Sequence, residues 1–217
     1  FEKLFKITTD ITLLELSDMG HPLLQKMAIQ APGTYHHSLM VATLAQNAAE
    51  AIGVNSLLVR VCAYYHDIGK MAKPEFFTEN IQHRENPHDE LSPHMSALII
   101  ASHVKEGLAL AKRHKLPQPV MEAIEQHHGN GLISFFYHKA RQQTDNASKK
   151  ASDKINDSDF RYGGAPAVSP EMAILSLADA SEAASRSIEK PSPQKIANMI
   201  NDIFAANEHA TVAPPKL

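Results

Sequence analysis

The sequence predicts an all-α fold, a helical bundle. Apolar residues recur at three- and four-residue spacing along most of the chain, in stretches opened by Ser, Asp or Pro and closed by Gly or Pro. No run alternates apolar and polar residues as a half-buried strand does. Histidines and aspartates recur inside the helical patterns, beside residues that should be buried. An ionisable group needs a partner there.

Bulk numbers bound the class. The 217 residues suffice for one packed domain with extensions, and the 43% hydrophobic content is that of a globular chain. The net charge of −3, with no basic block, argues against a nucleic-acid polymer as partner. One cysteine, Cys62 in an apolar run, excludes an internal disulfide and reads as a buried thiol. No stretch of about 18 apolar residues is present to span a membrane. The chain begins at Phe1 rather than Met and reads as a piece of a larger parent. Thirteen histidines are the one compositional oddity.

Residues 1–34 read as a helical approach segment. Asp10 caps a short helix through Ile11–Leu16, and Pro22 opens another with Leu23, Leu24 and Met27 inward. Ala31-Pro32-Gly33-Thr34 breaks it. The main domain, 35–208, then begins with a helix over 35–52 that stops at Gly53. Its stripe is His37, Val41, Leu44 and Ala48, with His36 turned away. A helix over 56–70 uses Leu57, Leu58, Val61, Tyr65 and Ile68. Residues 74–93 are loop-like, and His83, His88 and His94 read as surface residues. A helix over 94–114 points His103 at the core edge. The next runs 120–128 to Gly129, carrying His127 and His128 at its end. Neighbours on a helix diverge by about 100°, a restriction that relaxes at a terminus. Residues 131–143 form a helix with Leu132, Phe135 and Phe136 inward and Tyr137, Lys139 and Arg141 toward a rim. Residues 142–170, poor in apolar content, read as a flexible loop. Ser169 and Pro170 open a helix whose stripe is Met172, Leu175, Asp179, Ala183 and Arg186. A last helix covers 194–206, and 209–217 is a disordered tail.

Tyr64-Tyr65-His66-Asp67-Ile68-Gly69-Lys70 organises the rest. An imidazole and a carboxylate on adjacent residues both suit a borderline transition metal, and a carboxylate has two oxygens with which to bridge a metal pair. Lys70, four residues after His66, brings a cation to the same face, and Gly69 lets substrate approach or ends the helix. Alone, such a pair occurs by chance, and each histidine has a plain alternative as a hydrogen-bonded core residue. Taken together the candidates are His37, His66, Asp67, His103, His127, His128 and Asp179. If Asp67 bridges, two metals receive four protein ligands each. The mixed nitrogen and oxygen set suits iron, manganese, cobalt, nickel or zinc and is too nitrogen-rich for magnesium or calcium. No Ser-His-Asp spacing, P-loop or dinucleotide glycine fingerprint competes.

Ordered motifs resemble those of the HD-domain phosphohydrolases, most closely the HD domain of bacterial seven-transmembrane HD proteins, the cyclic di-AMP phosphodiesterases. They are Ile7-Thr8-Thr9-Asp10, Leu14-Glu15-Leu16-Ser17, His21-Pro22-Leu23-Leu24, Ala31-Pro32-Gly33-Thr34-Tyr35-His36-His37-Ser38, the Tyr64–Lys70 run, Asn86-Pro87-His88-Asp89, Leu98–Val104, Gln126-His127-His128-Gly129, Phe136-Tyr137-His138-Lys139 and Leu177-Ala178-Asp179. The resemblance covers most of residues 7–190. It implies one metal on His37, His66, Asp67 and Asp179 and a second on Asp67, His103, His127 and His128, both iron or manganese. It implies hydrolysis of cyclic di-AMP to linear pApA, with His66, Asp67 and Lys70 catalytic and Lys70 steadying a phosphate. Tyr137, Lys139 and Arg186 are expected at the substrate. A membrane-embedded parent, a domain at the cytoplasmic face and room for a homodimer follow from the same likeness. The sequence departs from the family at Ile81, His94, Gly163-Gly164-Ala165-Pro166 and beyond Ile203. These are loop positions that bear on the base, so another cyclic dinucleotide or nucleotide, or a non-catalytic nucleotide sensor, stands as the alternative. A bundle with incidental histidines would need seven separate core-face coincidences.

Overall fold

Prolines and capping side chains cut the chain into helices short enough to pack around one centre. The computed structural model describes residues 8–81, 85–147 and 155–207. Among them are ten α-helices: α1 Asp10–Leu16, α2 Pro22–Gln30, α3 Pro32–Ile52, α4 Ser56–Tyr65, α5 Thr78–Ile81, α6 Pro93–Arg113, α7 Gln118–Gln126, α8 Ser134–Ala147, α9 Pro170–Ser185 and α10 Pro193–Asn207. Short 3₁₀ turns fill Ile68–Ala72, Pro74–Phe76, Pro87–Glu90 and Asp157–Phe160. Only an isolated bridge, Leu132 to Arg161, has β character among the described residues.

Each boundary has a local cause. Thr9, not Asp10, caps α1 by accepting from the Thr12 amide, and Asp10 becomes the first helical residue, where its charge suits the dipole. His21 caps α2 through Nδ1, with Pro22 at the first position. Ala31 alone breaks the chain (φ −139°), so α3 starts at Pro32, three residues earlier than the pattern suggests. Gly53 ends α3 in the left-handed conformation, φ +76°. Ser92 and Ser169 cap α6 and α9, each before a proline.

The main core joins α1–α4, α7 and α9. Leu23, Leu24, Met27, Val41, Val59, Tyr65, Ile68, Ile124 and Leu175 are all 0–1% exposed within it. Each large aliphatic side chain so buried contributes about 1.5–3 kcal/mol. The Tyr65 hydroxyl donates to the Leu16 carbonyl (2.9 Å) and fastens α1 to α4. A smaller cluster, Ala97, Ile133, Phe136, Ala140 and Phe160, joins α6 and α8 to the Asp157–Phe160 turn. Residues beside both clusters border one deep cleft.

Several expectations are corrected. The buried arc of α3 is Thr34, His37, Ser38, Val41, Ala42, Ala45 and Ala49, while Leu44 and Ala48 face solvent. At 100° per residue His37 lies at one edge of that arc, so a stripe centred on it is turned by roughly 80°. Phe135 is exposed and Phe136 buried, because the helix starts at Ser134, after Leu132 and Ile133. The segment from 142 is helical through Ala147. Residues 155–169 pack firmly at Phe160, which is fully buried. His88 is buried, with Nε2 2.9 Å from the Phe76 carbonyl. His83 and the tail 209–217 lie outside the described residues.

Candidate metal centre

Five helices deliver the candidate ligands from their ends and faces. His37 sits early in α3. His66 is the C-cap residue of α4, and Asp67 follows where the chain leaves the helix. His103 is in mid-α6, and His127 is the C-cap of α7, with His128 next. Asp179 lies on α9. Ending α4 and α7 at these residues frees the adjacent pairs from helical geometry, so both members of each face one point.

The Asp67 turn is held by a close crossing. A Cβ at Gly69 would stand 1.8 Å from the His103 carbonyl oxygen and 2.5 Å from the Gly107 amide. Gly69 therefore seats the turn on α6; it is packing, not an opening for substrate. Lys70 lies in the 3₁₀ turn, not on a helix with His66. Its Nζ is 2.7 Å from Asp67 Oδ2 and 2.9 Å from Glu79 Oε1. Glu79 also accepts from the Thr34 hydroxyl (3.1 Å), while Asn80 Oδ1 accepts from the Gly33 and Thr34 amides, tying α5 to the start of α3.

All seven candidates converge. Two groups of ligand atoms each lie within 4.8 Å of one another: Asp67, His103, His127 and His128, and His37, His66, Asp67 and Asp179. The two oxygens of Asp67 divide between them. Oδ1 is 3.3 Å from His103 Nε2 and 3.5 Å from His127 Nε2. Oδ2 is 3.4 Å from His37 Nε2 and 3.2 Å from His66 Nε2. Asp179 Oδ1 stands 3.0 Å from His37 Nε2, and its Oδ2 stands 3.7 Å from His128 Nδ1.

The imidazoles are aimed from behind. Nδ1 of His66 meets the Ala63 carbonyl at 2.7 Å, that of His103 the Ile100 carbonyl at 2.7 Å, and that of His127 the Ile124 carbonyl at 3.0 Å. A carbonyl only accepts, so Nδ1 carries a hydrogen and Nε2 is the atom aimed at the cluster. His37 Nδ1 meets Glu182, which also binds Arg186 Nη2 at 2.6 Å. His37 Nε2, His66 Nε2 and both Asp67 oxygens are buried with no hydrogen bond of sound geometry. Ring nitrogens and carboxylate oxygens buried together without hydrogen bonds suit a shared positive centre, and a nitrogen and oxygen donor set fits a divalent transition metal.

The field differs across the cluster. Burial opposes charge on His37, but Asp179, Asp67 and Glu182 outweigh it and raise its pKa to about 11. For His66 burial is likewise overcome by Asp67 and Asp179, to about 9. Burial lowers His103 to about 4, with His127 adding to the effect, and drives His128 down in the same way. Asp67 and Asp179 stay charged despite burial. Lys70 and His66 hold the first well below the usual carboxylate range, and His37 and His66 hold the second.

Above the cluster opens a cleft of about 1370 Å³, larger than the roughly 300–1,000 Å³ of an ordinary small-molecule pocket. One wall is aromatic, with Phe76, Phe77, Phe135 and Phe136. Three cations line it, Lys70, Arg161 and Arg186, and each is engaged with a carboxylate: Asp67 and Glu79, Asp157, and Glu182. Of the other residues expected at the substrate, Tyr137 packs on Phe160 and Lys139 approaches Asp89 at 4.0 Å. Neither lines the cleft.

Sequence reasoning missed several supporting groups. Tyr162 stacks on His128, centroids 4.0 Å apart. The Ser176 hydroxyl donates to the His127 carbonyl, and Glu182 and Glu79 brace His37 and Lys70. The one available signal was Glu79-Asn80 inside a polar loop. The others depend on approaches between distant segments.

Comparison with known proteins agrees with the geometry. Residues 34–184 match the model of the HD domain. The cyclic-di-AMP phosphodiesterase PgpH of Bacillus subtilis is 45% identical over 205 residues, 94% of this chain and 28% of that protein. PgpH of Listeria monocytogenes is 44% identical over 204 residues, 94% of this chain and 27% of that protein. The crystal structure of the Listeria PgpH HD domain in complex with cyclic-di-AMP superposes with a TM-score of 0.82 at 42% identity, covering 89% of this chain and 86% of that one. The chain thus spans about a quarter of the length of the curated relatives it matches.

Proposed function

The chain belongs to the HD-domain family, and on that premise we propose that it is a metal-dependent phosphodiesterase that hydrolyses cyclic di-AMP to linear pApA. The observation that carries this reading is the division of Asp67 between two four-residue groups at the floor of a cleft large enough for a dinucleotide. Two divalent ions, iron or manganese, are the proposed cofactors, and Asp67, which belongs to both groups, would serve both. When bound, such ions polarise a phosphoryl oxygen and make water a nucleophile at neutral pH.

The chain's own residues do the rest. His37, His66 and Asp179 on one side, and His103, His127 and His128 on the other, would hold one ion each together with Asp67. Lys70 donates to Glu79 and is ion-paired with Asp67, and its remaining donor capacity at the cleft would serve a phosphate oxygen. The cleft cations Lys70, Arg161 and Arg186 are already paired with carboxylates, so bound ions would supply positive charge for the substrate's phosphates. The aromatic wall offers stacking faces to the bases. Water adds to one phosphorus, the bond from that phosphorus to the 3′ oxygen breaks, and the freed 3′ oxygen takes the proton.

Attachment to a membrane-embedded parent, with the domain at its cytoplasmic face, and homodimerisation are further parts of the proposal. No helix among the described residues is itself long and apolar enough to cross a membrane.

The test uses the purified, manganese-loaded chain with cyclic di-AMP, cyclic di-GMP and the mixed dinucleotide side by side, and the His66→Ala/Asp67→Ala variant as control. Selective conversion of cyclic di-AMP, absent in the control, is expected. Tight binding without turnover would make the chain a nucleotide sensor, and no interaction with any of the three would overturn the substrate assignment.

A further inference from the structure

His66, His103 and His127 each rest Nδ1 on a carbonyl three residues back in their own helix, so backbone geometry sets their aim. His37 is held differently. Its Nδ1 meets a side chain 145 residues away, the carboxylate of Glu182, which is 11% exposed. Glu182 lies three residues after Asp179 on α9, so the two share a helix face. Asp179 stands at Nε2 of His37 and Glu182 at Nδ1. One face of α9 therefore grips both nitrogens of a single ring. Arg186, one turn further, places Nη2 2.6 Å from Glu182 Oε2 and 3.0 Å from His37 Nδ1. An arginine and a protonated Nδ1 cannot bond one another, so the carboxylate between them binds both.

We propose that Glu182 is a positioning residue of the metal centre, holding His37 so that Nε2 faces the cluster, and that Arg186 serves by orienting Glu182. This rests on the metal-centre reading above. A carboxylate behind a ligating imidazole fixes its tautomer and raises its basicity, and losing such a partner costs about 10- to 100-fold in metal affinity. The bland alternative is a surface pair at four-residue spacing, which contributes little.

The experiment titrates Mn²⁺ into purified metal-free protein by calorimetry, counting free ion by electron paramagnetic resonance. Wild type, Glu182→Ala, Glu182→Gln, Arg186→Ala, His37→Ala and the His37→Ala/Glu182→Ala pair are compared. Glu182→Ala should weaken one Mn²⁺ equivalent about 10- to 100-fold and leave the other within about twofold. Glu182→Gln, whose side-chain oxygen still accepts from Nδ1–H, should recover most of that loss. Arg186→Ala should fall between Glu182→Gln and Glu182→Ala. The double variant should bind no more weakly than His37→Ala alone, as expected of two residues acting through one ring. Wild-type affinity in both Glu182 variants, or fully additive losses in the double variant, would overturn the proposal while the centre stands. A wild-type protein that takes up no Mn²⁺ would overturn the centre itself, and this inference with it.

Discussion

Around His37 and His66 the imidazoles face three carboxylates, Asp67, Asp179 and Glu182. Around His103 and His128 they face mainly other imidazoles and one oxygen of Asp67. The same residue type is thus pushed in opposite directions within a single cluster. The carboxylate-rich half holds its histidines protonated in the metal-free protein, at about 11 and 9, whereas the imidazole-rich half keeps His103 neutral down to about 4. A metal ligand must present a lone pair. His103 and His128 present one at neutral pH without losing a proton, whereas His37 and His66 must first release protons, but their half then offers more negative charge. The two groups that share Asp67 therefore differ in the protons that a metal would have to displace.

The largest test of this contrast removes what the halves share. Asp67→Asn should lose both high-affinity metal equivalents and lower turnover at least about 10³-fold, since metal catalysis supplies several kcal/mol and each 1.36 kcal/mol is tenfold. Metal analysis alongside the assay checks this, and a variant that still holds one equivalent at full affinity would show that the halves are separate sites.

A second test separates them by protons. Calorimetry in buffers of different ionisation enthalpy should find on the order of two protons released from His37 and His66 when the carboxylate-rich half fills at pH 7, and fewer when the other half fills, since His103 and His128 have none to give. The sign follows from the raised pKa values of His37 and His66: each competing proton costs affinity below its pKa, so binding to that half strengthens as pH rises toward 9. With His103 and His128 already neutral, binding to the other half should rise less steeply over the same range. Equal proton release from both halves would erase the distinction.

The smallest test is mechanical. Gly69→Ala puts a methyl group where the His103 carbonyl and the Gly107 amide already stand. Overpacking of this kind costs about 1–3 kcal/mol, a fall in Tm of roughly 2–10 °C for a domain this size. Because it pushes the Asp67 turn away from α6, Mn²⁺ affinity should drop more in the His103 half than in the His37 half. A uniform loss would mean that the crossing supports the fold without setting the spacing.

The seven convergent residues were legible because helical periodicity and terminal caps put each on or beside a buried face, and an unexplained ionisable group there is informative. His66-Asp67 and His127-His128 were legible as pairs because both fall where a helix must stop. The braces were not. Glu182 and Tyr162 gain their meaning from contacts with His37 and His128 made across more than thirty residues of chain, which no local pattern encodes. The phase error on α3 has a plain cause. His37 earns its place at the cleft by sitting at the margin of the buried arc, so the position most visible in the sequence is a poor centre for the stripe. Phe160 and the packed segment 155–169 were hidden by surrounding Asn, Ser and Asp, whose composition outweighed a single buried ring.

Chain order adds a difference in time. His103 and His127 are 24 residues apart, whereas His37 and Glu182 are separated by 145. During synthesis the imidazole-rich half can close as soon as α7 has left the ribosome, with α3, α4 and α6 already made. The carboxylate-rich half must wait for α9, because long-range closure comes late and α9 supplies both grips on His37. A nascent chain would then hold one group of candidate ligands before the last member of the other exists, and the arrival of α9 would complete both the packing around His37 and the donor set in one step.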